Sequence, residues 1–205
     1  MQREALTEFL EEARDRRDEM LCAAFEVFHE KGFAGATMLA IAQRAKASKE
    51  TLYSWFGNKS GLFEALILWR MERLGESLQM AQEVSSPLEG LRVFSRHFVT
   101  MLLLPSTIAV QRIAIGEVGA NPHLGKILAE AGKQASQQTA VVWLEQLKQT
   151  GIISYDDADQ VAETYLSVLL GQWNYTMLLG QMPPPSDDEI EARVELAISM
   201  LMKVW

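Results

Sequence analysis

The chain of 205 residues is 48% hydrophobic, with one cysteine and a formal charge of −8, which makes it a globular protein with a sizeable core and no intramolecular disulfide. Taken as a mean, the charge argues against nucleic-acid binding, but it is unevenly spread: residues 14–60 hold eight Lys or Arg against six acids, a balance of +2, and the remainder carries −10. An acidic N-terminal segment (Glu4, Glu8, Glu11, Glu12) without a leader pattern, and no run near the roughly 18 apolar residues of a spanning helix, point to a cytoplasmic protein that does not enter a membrane.

Apolar residues recur at helical spacing almost throughout, without strand alternation or an internal repeat, so the predicted class is all-α with about nine helices, three short and six mostly longer. Residues 1–13, with Leu6, Phe9, Leu10 and Ala13 in register, read as a helical extension. Leu21, Ala24, Phe25 and Phe28 form a core stripe that ends at Gly32, and Cys22 beside it is small filler. Thr37 caps a short second helix through Leu39, Ile41, Ala42 and Ala45. Ser48 caps a third from Lys49 to about Phe56, with Leu52 and Phe56 inward and Gly57-Asn58 as its end. A fourth runs from about Ser60 towards Val84, and Ser86-Pro87 with Glu89 opens a fifth that should stop near Pro105. The pattern is interrupted at Pro122 after Glu117. A long helix follows from about Leu124 to Thr150, and segments 156–180 and 186–204 supply two more, divided by "GQMPPPSDD".

Two short helices joined by a three- to four-residue turn, the second polar and aromatic on its outside, describe a helix-turn-helix whose second helix enters the DNA major groove. With Leu52 and Phe56 turned inward, Lys49, Glu50, Tyr53 and Ser54 face outward, and ammonium, carboxylate and hydroxyl groups are those that bond base edges and phosphates. Lys59 opens the next helix, where backbone N–H groups and the dipole favour a phosphate. Such a module reads palindromic half-sites, which calls for a two-fold partner. "YLSVLLGQWNYTMLLG" and "VELAISMLMKVW", in the last two helices, are more apolar than a monomer surface carries and are the predicted homodimer contact.

"AAFEVFHEKGFAGATMLAIAQRAKASKETLYSWFGNKSGLFEALI" resembles the DNA-binding domain of the TetR/AcrR family of transcriptional regulators. The likeness spans about Arg14 to Ile67 and rests on the ordered set Phe28, Gly32, Thr37, Ile41-Ala42, Ser48, Thr51, Tyr53, Phe56 and Lys59. "RIAIGEVGANPHLGKILAEAG" resembles, more weakly, the C-terminal domain of one subgroup. The resemblance implies a helix-turn-helix DNA-binding domain, here residues 14–60, and a ligand-sensing and dimerisation domain, here 61–205. It further implies a ligand-responsive regulator, in the family's usual mode a repressor, that binds a palindromic double-stranded DNA operator as a homodimer and is released by a small-molecule effector. Carried over by position, Thr37 and Ser48 are caps that touch phosphate, and Tyr53 and Lys59 are phosphate contacts. Lys49, Glu50, Ser54 and Trp55 lie where base or backbone contacts are made, and Thr51 belongs to the same DNA-binding set.

The sequence departs from the family pattern in three places. Lys46 stands where glycine is common, and a left-handed backbone there costs a lysine on the order of 1 kcal/mol, which positive charge near DNA would offset. Trp55 stands where His or Tyr is frequent. Glu50 repels phosphate, so it either meets a base, most simply a cytosine amino group, or bonds within its own helix.

The middle helices are rich in Met, Leu and aromatic residues. The resemblance places an effector cavity among residues 87–180, for which Phe98, Met101, Trp143, Trp173 and Met177 are the candidate lining of a largely apolar ligand. His97, Arg112, Glu117, Gln172 and Asn174 are the polar groups available at depth; a filled core is the alternative. The sequence contains no phosphate-cradling glycine loop, nucleophile elbow or zinc spacing: "FHEKG" lacks the second histidine of a zinc helix, and His29, His97 and His123 are far apart. No enzymatic activity, cofactor or metal is expected. The remaining rival is a protein-interaction module that kept the fold and lost DNA binding, for which Glu50 and the small basic balance speak.

Overall fold

The computed structural model describes residues 15–79 and 86–205; the expected extension at 1–13 and the stretch of the fourth helix towards Val84 lie outside the described residues. These fold into ten helices and no strand: α1 (Arg16–Gly35), α2 (Met38–Arg44), α3 (Lys49–Phe56), α4 (Lys59–Gln79), α5 (Pro87–Leu102), α6 (Pro105–Glu117), α7 (Pro122–Gln149), α8 (Ala158–Leu170), α9 (Trp173–Leu178) and α10 (Asp187–Val204). The class is all-α as predicted. The count exceeds nine because the segment 156–180 breaks at Gly171 into α8 and α9.

Local chemistry sets most boundaries. Asp15 accepts from the Arg17 and Asp18 N–H groups to start α1, Thr37 from Ala40 to start α2, and Ser48 from Thr51 to start α3. Ser86 accepts from Glu89 with Pro87 in the first turn of α5, and Ser186 with Glu189 forms a complete capping box on α10. Each cap satisfies an orphaned N–H and stabilises its helix by about 1 kcal/mol.

The chain packs as two compact units. One comprises the described residues up to Arg70 with Leu104–Ala131, the other Met71–Leu103 with Gly132–Trp205. In the first, Leu21, Phe25, Phe28, Ile41, Leu52, Leu62, Phe63 and Leu66 are fully buried. Gly32 interrupts α1 with φ 67° and ψ 171°, a left-handed turn that suits a residue without Cβ. The reversal brings Phe33 back onto Phe28 (5.6 Å, stacked), and Phe63 meets both rings edge-on at 5.0 and 5.6 Å. Such pairs add about 0.5–1.5 kcal/mol each beyond area burial. Arg70 is 1% exposed; its Nε donates to Thr107 Oγ1 (3.1 Å) and Nη2 to Ser106 Oγ (2.9 Å), tying α4 to the first turn of α6. Asn121 Nδ2 donates to Ser60 Oγ (3.1 Å), at the other end of the same α4 segment.

In the second unit Leu91, Phe94, Val99, Leu144, Leu147, Ala162, Leu169 and Val194 are fully buried. Arg92 bridges Glu89 (2.6 Å) and Glu195 (2.5 Å), and Arg96 pairs with Glu191, so α5 is stitched to α10 along its rim; at this exposure each pair contributes at most about 1 kcal/mol. The indole of Trp143 lies against the backbone of Gly90, where a Cβ would come within 2.1 Å of Cζ3. Gly90→Ala is therefore expected to displace a buried tryptophan, destabilise the protein by about 1–3 kcal/mol and shift tryptophan emission. An unchanged Tm would show that the ring has room to move.

Candidate nucleic-acid interface

α3 is built to present one face. Ser48 Oγ accepts the Thr51 N–H (3.0 Å) and bonds the Thr51 hydroxyl (3.0 Å), while at the far end the Gly57 N–H, on a residue with φ 73°, donates to the Tyr53 carbonyl (2.9 Å). Leu52 and Phe56 are buried beneath it, each stabilising the unit by about 2 kcal/mol. Lys49, Glu50, Tyr53, Ser54 and Trp55 are all exposed. Tyr53 is 44% and Trp55 47% exposed, so two large aromatics stand outside the core rather than filling it. The Lys49 ammonium lies 5.5 Å from the Tyr53 ring, and Trp55 meets Phe56 edge-on at 6.3 Å. Thr51 is half-buried under the cap. Thr37, exposed, gives its Oγ1 to the Ala40 N–H (3.1 Å) at the start of α2.

Glu50 sits in the first turn of α3. Its carboxyl is held below the usual carboxylate range first by its own backbone N–H and then by the Ser48 hydroxyl, a placement that also complements the positive end of α3. Lys59 is engaged as well. Its Nζ donates to the carbonyls of Phe33 (2.6 Å), Ala36 (3.1 Å) and Ala34 (3.4 Å) and stands 4.5 Å from the Phe33 ring. An ammonium has three donors, so a phosphate at Nζ must displace a carbonyl.

The surrounding charges are not equally available. Arg44 pairs with Glu26 and, at 2.9 and 3.0 Å, with both oxygens of Glu30, whose carboxyl it holds below the usual range. Arg16 binds Glu19 (2.6 Å) and the carbonyls of Ala45 (2.8 Å) and Lys46 (2.9 Å). The count of eight cations in residues 14–60 thus hides two guanidiniums committed to the protein itself.

The proposed effector lining all falls in the second unit. Phe98, Trp143 and Met177 are buried, while Met101 and Trp173 are half-buried. Phe98 stacks on Phe94 at 5.8 Å, and Trp173 carries the Arg193 guanidinium 4.2 Å from its ring. Trp143 packs on Gly90, two turns or about 12 Å along α5 from Phe98, so these two do not meet at one point of that helix. Of the polar groups expected at depth, Arg112 and Gln172 are exposed, and Arg112 and Glu117 belong to the first unit. The buried polar pair that periodicity missed is Ser95 with Tyr165: Ser95 Oγ donates to the Leu91 carbonyl (2.7 Å) and bonds Tyr165 OH (2.5 Å), while burial pushes the phenol pKa well above its ordinary value. Nothing in the sequence links two residues this far apart.

Residues 21–66 match the family model described as bacterial regulatory proteins, tetR family. Residues 89–205, more than half of the chain, match the model described as the C-terminal domain of AefR-like transcriptional repressors. The HTH-type transcriptional regulator UidR of Escherichia coli (strain K12) is 33% identical over 121 residues, 57% of this chain and 59% of UidR; the chain thus spans less than two thirds of that relative. The uncharacterised HTH-type transcriptional regulator YvkB of Bacillus subtilis (strain 168) is 25% identical over 169 residues, 82% of this chain and 86% of YvkB. Among solved structures, a TetR-family regulator from Mesorhizobium loti MAFF303099 shares the fold with a TM-score of 0.79 at 23% identity, covering 92% of this chain and 96% of its own. The flavonoid-responsive regulator FrrA superposes with a TM-score of 0.73 at 29% identity over 92% and 95%. The capped α3, with its buried anchors and exposed polar-aromatic face, is the second helix of a helix-turn-helix, and the chain belongs to the TetR family of helix-turn-helix transcriptional regulators.

Proposed function

We propose that the protein is a repressor that binds a palindromic operator as a homodimer and lets go of it on binding a largely apolar small molecule. The observation that carries the reading is the outer face of α3, where five exposed polar or aromatic side chains stand over two buried anchors. On this reading Lys49 and Ser54 serve the groove, Trp55 stacks on the sugar-phosphate edge, Tyr53 contacts a phosphate, and the hydroxyls of Thr37 and Ser48, with Thr51 behind them, meet phosphates at two helix starts. Glu50 is the candidate for a cytosine amino group, and Lys59 reaches a phosphate only after leaving one carbonyl. An operator partner places the protein's work in the cytoplasm.

The dimer reading is supported by apolar side chains left exposed on α9, at its C-cap and on α10: Tyr175 (64%), Leu179 (54%), Leu196 (52%), Met200, Met202 and Val204. Similarity to AefR-like repressors over the C-terminal half supports repression. The flavonoid response of FrrA makes planar aromatic compounds the first effectors to try, with Phe98, Met101, Trp143, Trp173 and Met177 as their contacts. Among the described residues no helix is long and apolar enough to cross a membrane.

Fluorescence anisotropy on DNA from upstream of the protein's own coding region should show salt-sensitive binding that an effector reverses; no binding at low salt would leave an interaction module instead. Light scattering at micromolar concentration should give a dimer, and a monomer would contradict the interface. Lys59→Ala should lower stability by about 2 kcal/mol, because it strips a charge-assisted donor from partly buried carbonyls. A fall of about 1 in the salt slope of the same variant would add the phosphate contact to its role.

A further inference from the structure

We infer that Lys46 is a DNA-phosphate contact, held in a strained turn at a cost in local stability. The inference rests on the DNA-binding reading of the first unit. Lys46 has φ 49° and is the one non-glycine residue with positive φ among the described residues. A side chain in that region is strained, a strain glycine would not incur. The turn does not need a lysine to keep its shape. Its backbone is fixed by the Lys46 N–H on the Gln43 carbonyl (3.2 Å), the Ala47 N–H on the Ala42 carbonyl (2.9 Å) and the Arg16 guanidinium on the Ala45 and Lys46 carbonyls. What the lysine contributes must therefore come from its side chain.

That side chain is exposed, and its ammonium has no hydrogen bond or ion pair among the described residues. Its cationic neighbours are different: Arg16 is held by Glu19 and two carbonyls, Arg44 by Glu26 and Glu30, and Lys59 by three carbonyls. Lys46 sits two residues before Ser48, the cap of α3. A recognition helix enters the groove by its N-terminal end, which brings the residues just ahead of the cap to the phosphate rim. Lys46 and Lys49 flank that cap, one on each side, and an unpaired ammonium there releases a counterion when it meets a phosphate. Strain retained at a position whose geometry is otherwise fixed is the pattern of a functional residue.

The test compares the full chain with Lys46→Gly, which removes charge and strain, Lys46→Gln, which removes charge alone, and Lys46→Arg. The probe is a fluorescein-labelled random-sequence duplex of about 30 base pairs, titrated across potassium chloride, because a phosphate contact does not depend on sequence. The Gly and Gln variants should each lower the log–log salt slope by about 0.9 per subunit, which near 0.1 M salt is roughly an eightfold weakening for each phosphate no longer neutralised. Lys46→Arg should keep the slope, and only Lys46→Gly should raise Tm. A wild-type slope preserved in both neutral variants, with wild-type binding intact, would overturn the assignment of Lys46 alone. A wild-type protein with no salt-dependent binding would overturn it together with the DNA-binding reading.

Discussion

The first unit turns on the contact between the Lys59 ammonium and the carbonyls of Phe33, Ala34 and Ala36. Gly32 ends the regular part of α1 and the chain doubles back, leaving carbonyls that no helix partner satisfies. Lys59 gathers them over the ring of Phe33, which is itself clamped between Phe28 and Phe63. This fixes Thr37, the start of α2, to the start of α4. α3 is strung between those two fixed ends, so the direction of its exposed face is set by a cluster that does not itself face outward. A partly buried charge serves here because its partners are carbonyl dipoles at hydrogen-bond distance, which offset its desolvation.

The same unit carries the proposed DNA-binding face of a protein that is acidic overall. Arg16 and Arg44 are spent on internal structure, and Glu50 places a negative charge in the first turn of α3. On the proposed DNA-binding reading, the exposed cations nearest the α3 cap are Lys46 and Lys49. An interface built on that reading would lean on direct contacts and on a second subunit rather than on a broad positive field.

The helix boundaries were legible because capping is local: Thr37, Ser48, Ser86-Pro87 and Ser186 with Glu189 act within three or four residues of chain, and each does in the structure what the sequence pattern implies. The outward face of α3 followed from two anchors at i and i+4. Long-range pairings were not legible. Lys59 meets carbonyls 23 to 26 residues earlier, Arg70 meets Ser106 and Thr107 across 36 and 37 residues, and Ser95 meets Tyr165 across 70. Helical periodicity also runs through Gly171 unbroken, so the separation of α8 from α9 was invisible to it, and it ranked Arg112 and Gln172 as deep when both are exposed. Periodicity reports which face of a helix is apolar; it does not report which other helix covers that face.

The central claim is that the exposed face of α3 reads DNA sequence as half of a two-fold assembly. Selection of bound duplexes from a random-sequence pool tests it most directly. The account predicts enrichment of a palindrome whose half-sites are spaced by about one helical turn, roughly 10 base pairs, or a multiple of it. A pool that stays unenriched after repeated rounds at low salt, or that yields a single half-site without symmetry, would contradict it.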